Sequence, residues 1–544
     1  MNITKYCTGV ALGAALMLSS CSDFLDKMPD NRVTLDTPTK VRELLVSGYS
    51  DANYSVLAEL SADNFVDNTS PDEAGVYYPL LSARERMHDE VFAWEDAVSS
   101  DQQDSPSAVW GSCYKAIAVA NHALEALESF EGKGFEDADI QAMRAEALLI
   151  RSYHHFILVN IFCQAYKDES LSQADQGIPY VTEPEKEVFV NYARLSVAEV
   201  YAHIEKDLLE ALPLVSNHIF EADKYHFNRN AAHAFAARFF LYKRNYDRVI
   251  EFANTVLGDD PRGMMRKHDT ETPTIDAYKN EYVKSSHQCN LLVLPTYSTF
   301  DRVFGSRYAC NRDAAQGSIF GTGPTWPDFR YSPCYSGRMY TVGGQEYGVY
   351  FPKTAEFFEY TDKVAGIGYP RVVRVEFTVE ELLLCRAEAY IFKNDLGNAL
   401  KDLAMWDDSR KLTSVTDASD FEVLTEDLIK SFYTPEATLF VKKLNPTLMS
   451  PEFVVTEAQE PYVHCLLHFR RLETVFDGLR WFDIKRYGIE LTHNIGKNRV
   501  ETLTWDDECR ALQVPQEVIA AGFEANIRKA TKFTHGDMRK VTLK

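Results

Sequence analysis

The chain reads as mostly α-helical, with tetratricopeptide-like helical hairpins and a long irregular, loop-rich insertion between two of them. The spacing of apolar residues in two segments carries the helical part. In 229–257, Ala232, Phe235, Ala236, Phe239 and Phe240 fall at i, i+3, i+4, i+7 and i+8 and so share one helix face. A polar break, Lys243-Arg244-Asn245, follows, and Val249, Ile250, Ala253 and Leu257 line the facing side of a second helix. Segment 381–403 repeats the plan, with Leu382, Cys385 and Ala389, the break Lys393-Asn394-Asp395, then Ala399, Leu400 and Leu403. Between these hairpins, residues 258–370 lose helical period, and Gly, Pro, Ser and Tyr cluster from Tyr297 to Tyr350. A long stretch without regular pattern inside a compact chain marks a functional insertion, and its aromatic density argues against disorder.

In chain order, residues 1–20 form a leader: Lys5, then an apolar run from Val10 to Leu18 that is too short for a permanent membrane span. The run Leu18-Ser19-Ser20-Cys21 fits a lipoprotein signal, with cleavage before Cys21 and acylation of its thiol; an ordinary secretory leader with an incidental cysteine is the alternative. Acyl chains on Cys21 would moor the protein to a membrane surface. An acidic tether at 21–38 leads into a single fold at 39–544. Helical patterning covers Lys40–Ser50, Trp110–Phe130, Asp139–Gln164 and Ser196–Leu214, and the last two form a third hairpin near 139–215. The motif Arg386-Ala387-Glu388-Ala389-Tyr390 echoes Ala237-Arg238 and Tyr242. Small-plus-aromatic hairpins of this kind resemble tetratricopeptide units, which stack because none buries its stripe alone.

Composition narrows function. Hydrophobic residues make up 45% and aromatics 12% of the 544 residues, and 29 tyrosines offer flat faces with a polar tip. A net charge of -23 argues against nucleic acid or anionic lipid as a partner. After Cys21 the cysteines are widely spaced, without a CxxC pair; Cys310 with Cys334 is the one disulfide considered.

Catalytic patterns are scarce. No Gly-x-Ser-x-Gly elbow, P-loop, dinucleotide fingerprint or HExxH occurs. Ser112-Cys113-Tyr114-Lys115 satisfies Ser-x-x-Lys but lies in an apolar helix without companion motifs. His464 and His468 stand at i and i+4, a metal-compatible spacing that packed helix histidines also produce. No catalytic residue, metal or cofactor is assigned.

The stretch Arg470-Arg471-Leu472-Glu473-Thr474-Val475-Phe476-Asp477-Gly478-Leu479-Arg480-Trp481-Phe482-Asp483, followed by Lys485-Arg486, resembles the signature of the SusD/RagB family of outer-membrane nutrient-binding lipoproteins. Cys21-Ser22-Asp23-Phe24-Leu25-Asp26, Trp110–Glu125, Ala145-Glu146-Ala147 with Arg151-Ser152-Tyr153, and Leu512–Glu517 resemble further family segments in order. Phe469 stands where a Glu is usual. Physically, Phe476, Trp481 and Phe482 are core-sized, and Arg470, Arg471 and Arg480 are expected to fork onto Glu473, Asp477 or Asp483.

The resemblance implies a surface-exposed outer-membrane lipoprotein that covers a SusC-like TonB-dependent transporter and delivers oligosaccharide to it, with no covalent step. Peptide cargo in the same complex is the alternative, and an envelope hydrolase a third reading. It also implies that ligand contacts come from an early loop and from the irregular middle. On that basis Tyr77, Trp326 and Tyr331 are the expected stacking platforms, and Asp67 and Arg330 the expected polar contacts. Trp94 and Trp110 are set aside as scaffold.

Overall fold

The computed structural model describes residues 34–72, 74–97, 102–130, 132–185, 192–266, 274–332, 339–411 and 422–528. Cys21, the leader, most of the tether and Cys334 lie outside the described residues. Cys310 is a buried free thiol.

Helices dominate. Helix α1 (Pro106–Glu128) starts where Ser105 Oγ accepts from Ala108 N at 3.1 Å and Pro106 needs no amide partner. It packs on α2 (Asp137–Phe162), which packs in turn on α3 (Val197–Ala211). A reciprocal cap between Ser196 and Glu199 fixes the start of α3. Helices α4 (Arg229–Tyr242) and α5 (Tyr246–Leu257) form one hairpin, and α6 (Val379–Phe392) and α7 (Leu396–Arg410) another. Helix α5 packs on α6, so the two hairpins are contiguous.

Both hairpins turn in the same way. Arg244 (φ 60) and Asn394 (φ 58) take the left-handed conformation, and Asn245 and Asp395 cap the following helix. The amide of Asn245 reaches Phe240 O, and that of Asp395 reaches Tyr390 O, both at 2.9 Å. Superposing the turns therefore aligns Arg238 with Glu388, so the Arg–Tyr echo is two residues out of register with the geometry.

The described residues of 258–370 hold more regular structure than their composition suggests. Strand β1 (Val66–Asp67), in the early loop, precedes β2 (Asn290–Tyr297) and β3 (Tyr308–Ala309) in the chain; β4 (Phe357–Asp362) and β5 (Ile367–Thr378) follow. Strands β2, β5 and β4 make an antiparallel sheet in that order, with Tyr297 opposite Arg371 and Asn290 opposite Thr378. Strand β5 runs directly into α6, and Asn228, the cap of α4, donates to Leu291 O at 2.8 Å. The sheet thus ties the middle of the chain to both hairpins. Its signal was a five-residue apolar run, Leu291–Pro295, which periodicity cannot separate from a buried helix segment.

The core sits where α2, α4 and β5 meet. Tyr153, Phe156, Phe227, Phe235 and Phe377 pack there with ring centroids 5.5–6.5 Å apart.

Candidate ligand cleft

A cleft of about 900 Å³ opens between the early loop and the irregular middle. Its first wall is the turn Val66 to Ala74. The facing wall is a π-helix, Ala314–Ile319, preceded by Asn311 and Asp313. Strand β6 (Leu491–Ile495), paired with β7 (Arg499–Leu503), closes the floor, and Leu439 stands exposed at the rim. π-Helical turns interrupt regular helices and recur at functional positions.

Each wall is fixed by ionic hydrogen bonds. Arg307 clamps Asp67 through Nε at 3.0 Å and Nη2 at 2.6 Å, and also reaches Asp89 at 3.0 Å. Thr69 and the Gly496 amide occupy the remaining acceptor positions of Asp67, and strands β1 and β3 pair beside it. Burial raises the Asp67 carboxyl, but Arg307 and these donors hold it below its usual value.

The signature segment supports both walls at once. Helices α8 (Glu460–Glu473) and α9 (Leu479–Arg486) carry its arginines. Arg471 donates to Asn64 Oδ1 at 2.8 Å, to Asp63 O at 2.7 Å and to Ser318 O of the π-helix at 2.8 Å. Arg480 forks onto Asp63 with both bonds at 2.8 Å. Burial works against the Asp63 carboxylate, yet Arg471 and Arg480 hold its pKa far below the usual range. Of the three arginines, only Arg470 meets an acid expected from sequence, Asp483 at 2.9 Å. Arg471 and Arg480 instead reach 408 and 417 residues back along the chain, a pairing that spacing within the motif cannot reveal. Glu473 pairs with Arg410, and Asp477 with Lys353.

The floor is aromatic. His493 stacks on Phe92 at 4.2 Å and on Trp94 at 4.0 Å, and its Nδ1 and Nε2 face Phe92 O and Ala62 O at 2.7 and 2.9 Å. Burial lowers the pKa of this imidazole against the pull of the two carbonyls. On the same strand Thr492 and Asn494 alternate outward and line the opening.

Of the five contact residues expected from sequence, only Asp67 lines this cleft, and its carboxylate is fully engaged, so it acts as a post in the wall. Trp326 is 3% exposed. Its indole donates to Gly321 O at 2.8 Å and packs on His468 and Phe469, so the expectation of a stacking platform there is corrected to a core residue. Tyr77 lies half-buried outside the lining, with Lys497 Nζ 2.7 Å from its hydroxyl and 4.3 Å from its ring centre. Arg330 and Tyr331 share a short 3-10 turn away from the lining. Arg330 is exposed and forks onto Asp328 at 2.8 and 3.0 Å. The polar lining residues Asp72, Asn311, Asp313, Gln316, Thr492 and Asn494 were not singled out. Their only signal was membership of the loop and insertion, since short polar side chains in loops look alike.

Two other features prove structural. Ser112 donates to Asp51 at 2.6 Å and accepts from the Asp51 amide at 3.0 Å and the Ser50 hydroxyl at 2.9 Å, so its hydroxyl ties α1 to the 50–51 turn. His468 Nδ1 meets Tyr433 and its ring stacks on Phe440 at 3.7 Å. Among the described residues no group of three or more metal-ligating side chains occurs, and no helix is long and apolar enough to cross a membrane.

Residues 23–241 match a family model described as SusD-like, starch-binding associating with outer membrane. None of the curated proteins matches the chain. The fold is similar to that of a putative sugar binding protein from Bacteroides vulgatus: TM-score 0.59 and 18% identity, covering 91% of this chain and 99% of that one. A SusD superfamily protein from Bacteroides thetaiotaomicron gives TM-score 0.58 and 17% identity over 91% and 100%. Surface glycan-binding protein A from Bacteroides fluxus gives 0.53 and 16% over 91% and 100%.

Proposed function

We propose that this member of the SusD/RagB-like family is an outer-membrane lipoprotein that captures oligosaccharides in the cleft and passes them to a SusC-like TonB-dependent transporter. One observation carries the reading. The cleft joins a π-helix, amides, hydroxyls and carboxyls set among apolar side chains such as Phe65, Phe92 and Leu439, and ionic bracing of both walls. Convergent polar groups in a preformed cavity suit a polyhydroxylated ligand, because fixed walls reduce the ordering cost of binding. Capture requires no bond to break. Tyr77, Tyr331 and Arg330 are proposed as outer contacts for longer ligands. The family match and the sugar-binding relatives favour glycan over peptide. Acylated Cys21 supplies the membrane anchor in this reading, and labelling with a palmitate analogue tests it.

Titration calorimetry with a panel of neutral oligosaccharides tests the cleft. Saturable binding is expected, weakened about tenfold or more when Gln316 and Asn494 are both changed to Ala. Unchanged affinity in that double variant places the ligand elsewhere, and binding only to peptides transfers the complex to the peptide-importing class.

A further inference from the structure

Glu59 is buried in the helix Ser55–Ser61, outside the cleft lining, yet the cleft wall leans on it. Its two oxygens accept from the Gly478 amide at 2.9 Å and from Asn64 Nδ2 at 2.8 Å. The Gly478 amide is held in place. Its residue is left-handed (φ 85), and a Cβ there would lie 3.0 Å from the Ala58 Cβ and 3.1 Å from the Ser55 Cα. Asn64 Oδ1 accepts in turn from Arg471 Nε, and Arg471 Nη1 donates to Ser318 O. A continuous chain of hydrogen bonds therefore leads from one buried carboxyl group to the π-helix.

The polarity of that chain is fixed. A guanidinium only donates, so Asn64 must offer its oxygen to Arg471 and its amide hydrogens to Glu59. The Gly478 amide also only donates. Glu59 must accept on both oxygens, which suits a carboxylate and not a carboxylic acid. The cations around it are bound to other acids, Lys353 to Asp477, and Arg471 and Arg480 to Asp63, and Cys310 adds a buried thiol. Burial raises the Glu59 pKa to about 7 against the pull of its two donors, with Asp477 adding to the rise and Lys353 opposing it.

Resting on the glycan reading above, we propose that Glu59 is a positioning residue that latches the cleft: as a carboxylate it aims Arg471 at Ser318, and on taking up a proton it loosens the π-helix wall and weakens the hold on ligand. A proton on the Asn64 side faces the amide hydrogens. Asn64 can answer it only by turning its oxygen toward Glu59, which turns its own hydrogens onto Arg471 Nε. A proton on the other oxygen meets a backbone amide that cannot turn. The bond free to rearrange is the one from Arg471 to Asn64. By linkage, a ligand that favours the latched wall expels the proton as it binds.

Hydrogen–deuterium exchange over 311–320 reads the wall without ligand, and titration calorimetry with the neutral oligosaccharide panel reads affinity. In the native protein, protection of the Ala315 and Phe320 amides, corrected for intrinsic rate, and saccharide affinity should both fall about tenfold from pH 8 to pH 5. Near pH 7, binding should release protons. Glu59→Gln sets a donor against Asn64 or Gly478 at every pH, so it should bind about tenfold more weakly at pH 8 and lose the pH step. The double variant Glu59→Gln, Asn64→Asp exchanges amide and acid, restores each donor–acceptor match and puts the acid directly on Arg471. It should regain native affinity at pH 8 and keep it at pH 5. This rescue separates bond polarity from packing, because the exchange leaves side-chain volume nearly unchanged. A native pH step that persists in Glu59→Gln, or a double variant that melts like the native protein yet binds weakly, overturns the latch. A wall that loosens at low pH while no saccharide of the panel binds at any pH supports the latch and defeats the glycan reading.

Discussion

In the α4–α5 and α6–α7 hairpins, apolar side chains meet across repeating helix faces, and any one contact is a small part of a broad surface. The cleft walls are built otherwise: short segments around residues 63–67 and 318 hang on a few guanidinium groups, and the strand 491–495 is held by one hairpin and the His493 ring. The hairpins distribute their stability, whereas the cleft concentrates it. Perturbation should therefore spread differently in the two halves.

Removing Arg471 gives the largest expected effect. Arg471→Ala leaves Asp63 short of a partner and frees Ser318 O, at a cost of about 3–5 kcal/mol in denaturant unfolding, and it should abolish ligand binding as the walls part. Arg471→Lys keeps the charge but loses the fork, so it should restore little of the affinity. A variant that binds normally would show that the walls stand without this bracket.

Phe235→Ala attacks the other half. Its ring is fully buried against Tyr153, Phe156 and Phe377, so about 3–4 kcal/mol should be lost, with glycan affinity unchanged below the melting transition. A parallel fall in affinity would erase the distinction drawn between the halves.

His468 supplies a pH readout between them, since it lies beneath Trp326 and near Arg471. Burial, then the Arg471 charge, pushes its pKa down to about 3. The unfolded chain binds a proton below about 6.5 that the folded protein refuses, so this contribution is complete above that pH and is lost as pH falls toward 3. Stability of His468→Phe should fall by about 2 kcal/mol less than that of the native protein between pH 7 and 5. Identical slopes would mean that the imidazole already titrates normally.

The smallest change tests the hairpin turn. Asn394 is exposed and left-handed, so Asn394→Ala should cost about 1 kcal/mol and Asn394→Gly should cost nothing or stabilise slightly. Thermal melts of both variants decide it.

The two halves also differed in legibility. Helix faces announce themselves through spacing, so the stripe Ala232–Phe240 marked a buried surface directly. The sheet formed by β2, β5 and β4 was hidden because its partners are about 80 residues apart and sit at the ends of a Gly- and Tyr-rich stretch. The cleft was legible only in outline: early loop and middle insertion do face each other, but which side chains line it depends on contacts such as Arg307 to Asp67, 240 residues apart. Trp326 shows the same limit in reverse, an aromatic in a loop-rich region that turns inward to satisfy its indole on Gly321 O.

The bond from Arg471 to Ser318 O, made while the same guanidinium holds Asp63 and Asn64, constrains anyone who would redesign this protein. A foreign segment grafted in place of 311–319 must still present a carbonyl at that point, and a foreign early loop must still bring an acid and an amide. The two segments are inherited as a set, so a library that shuffles one while keeping the other should yield mostly inert receptors, and one that exchanges them together should yield new tastes on an old frame.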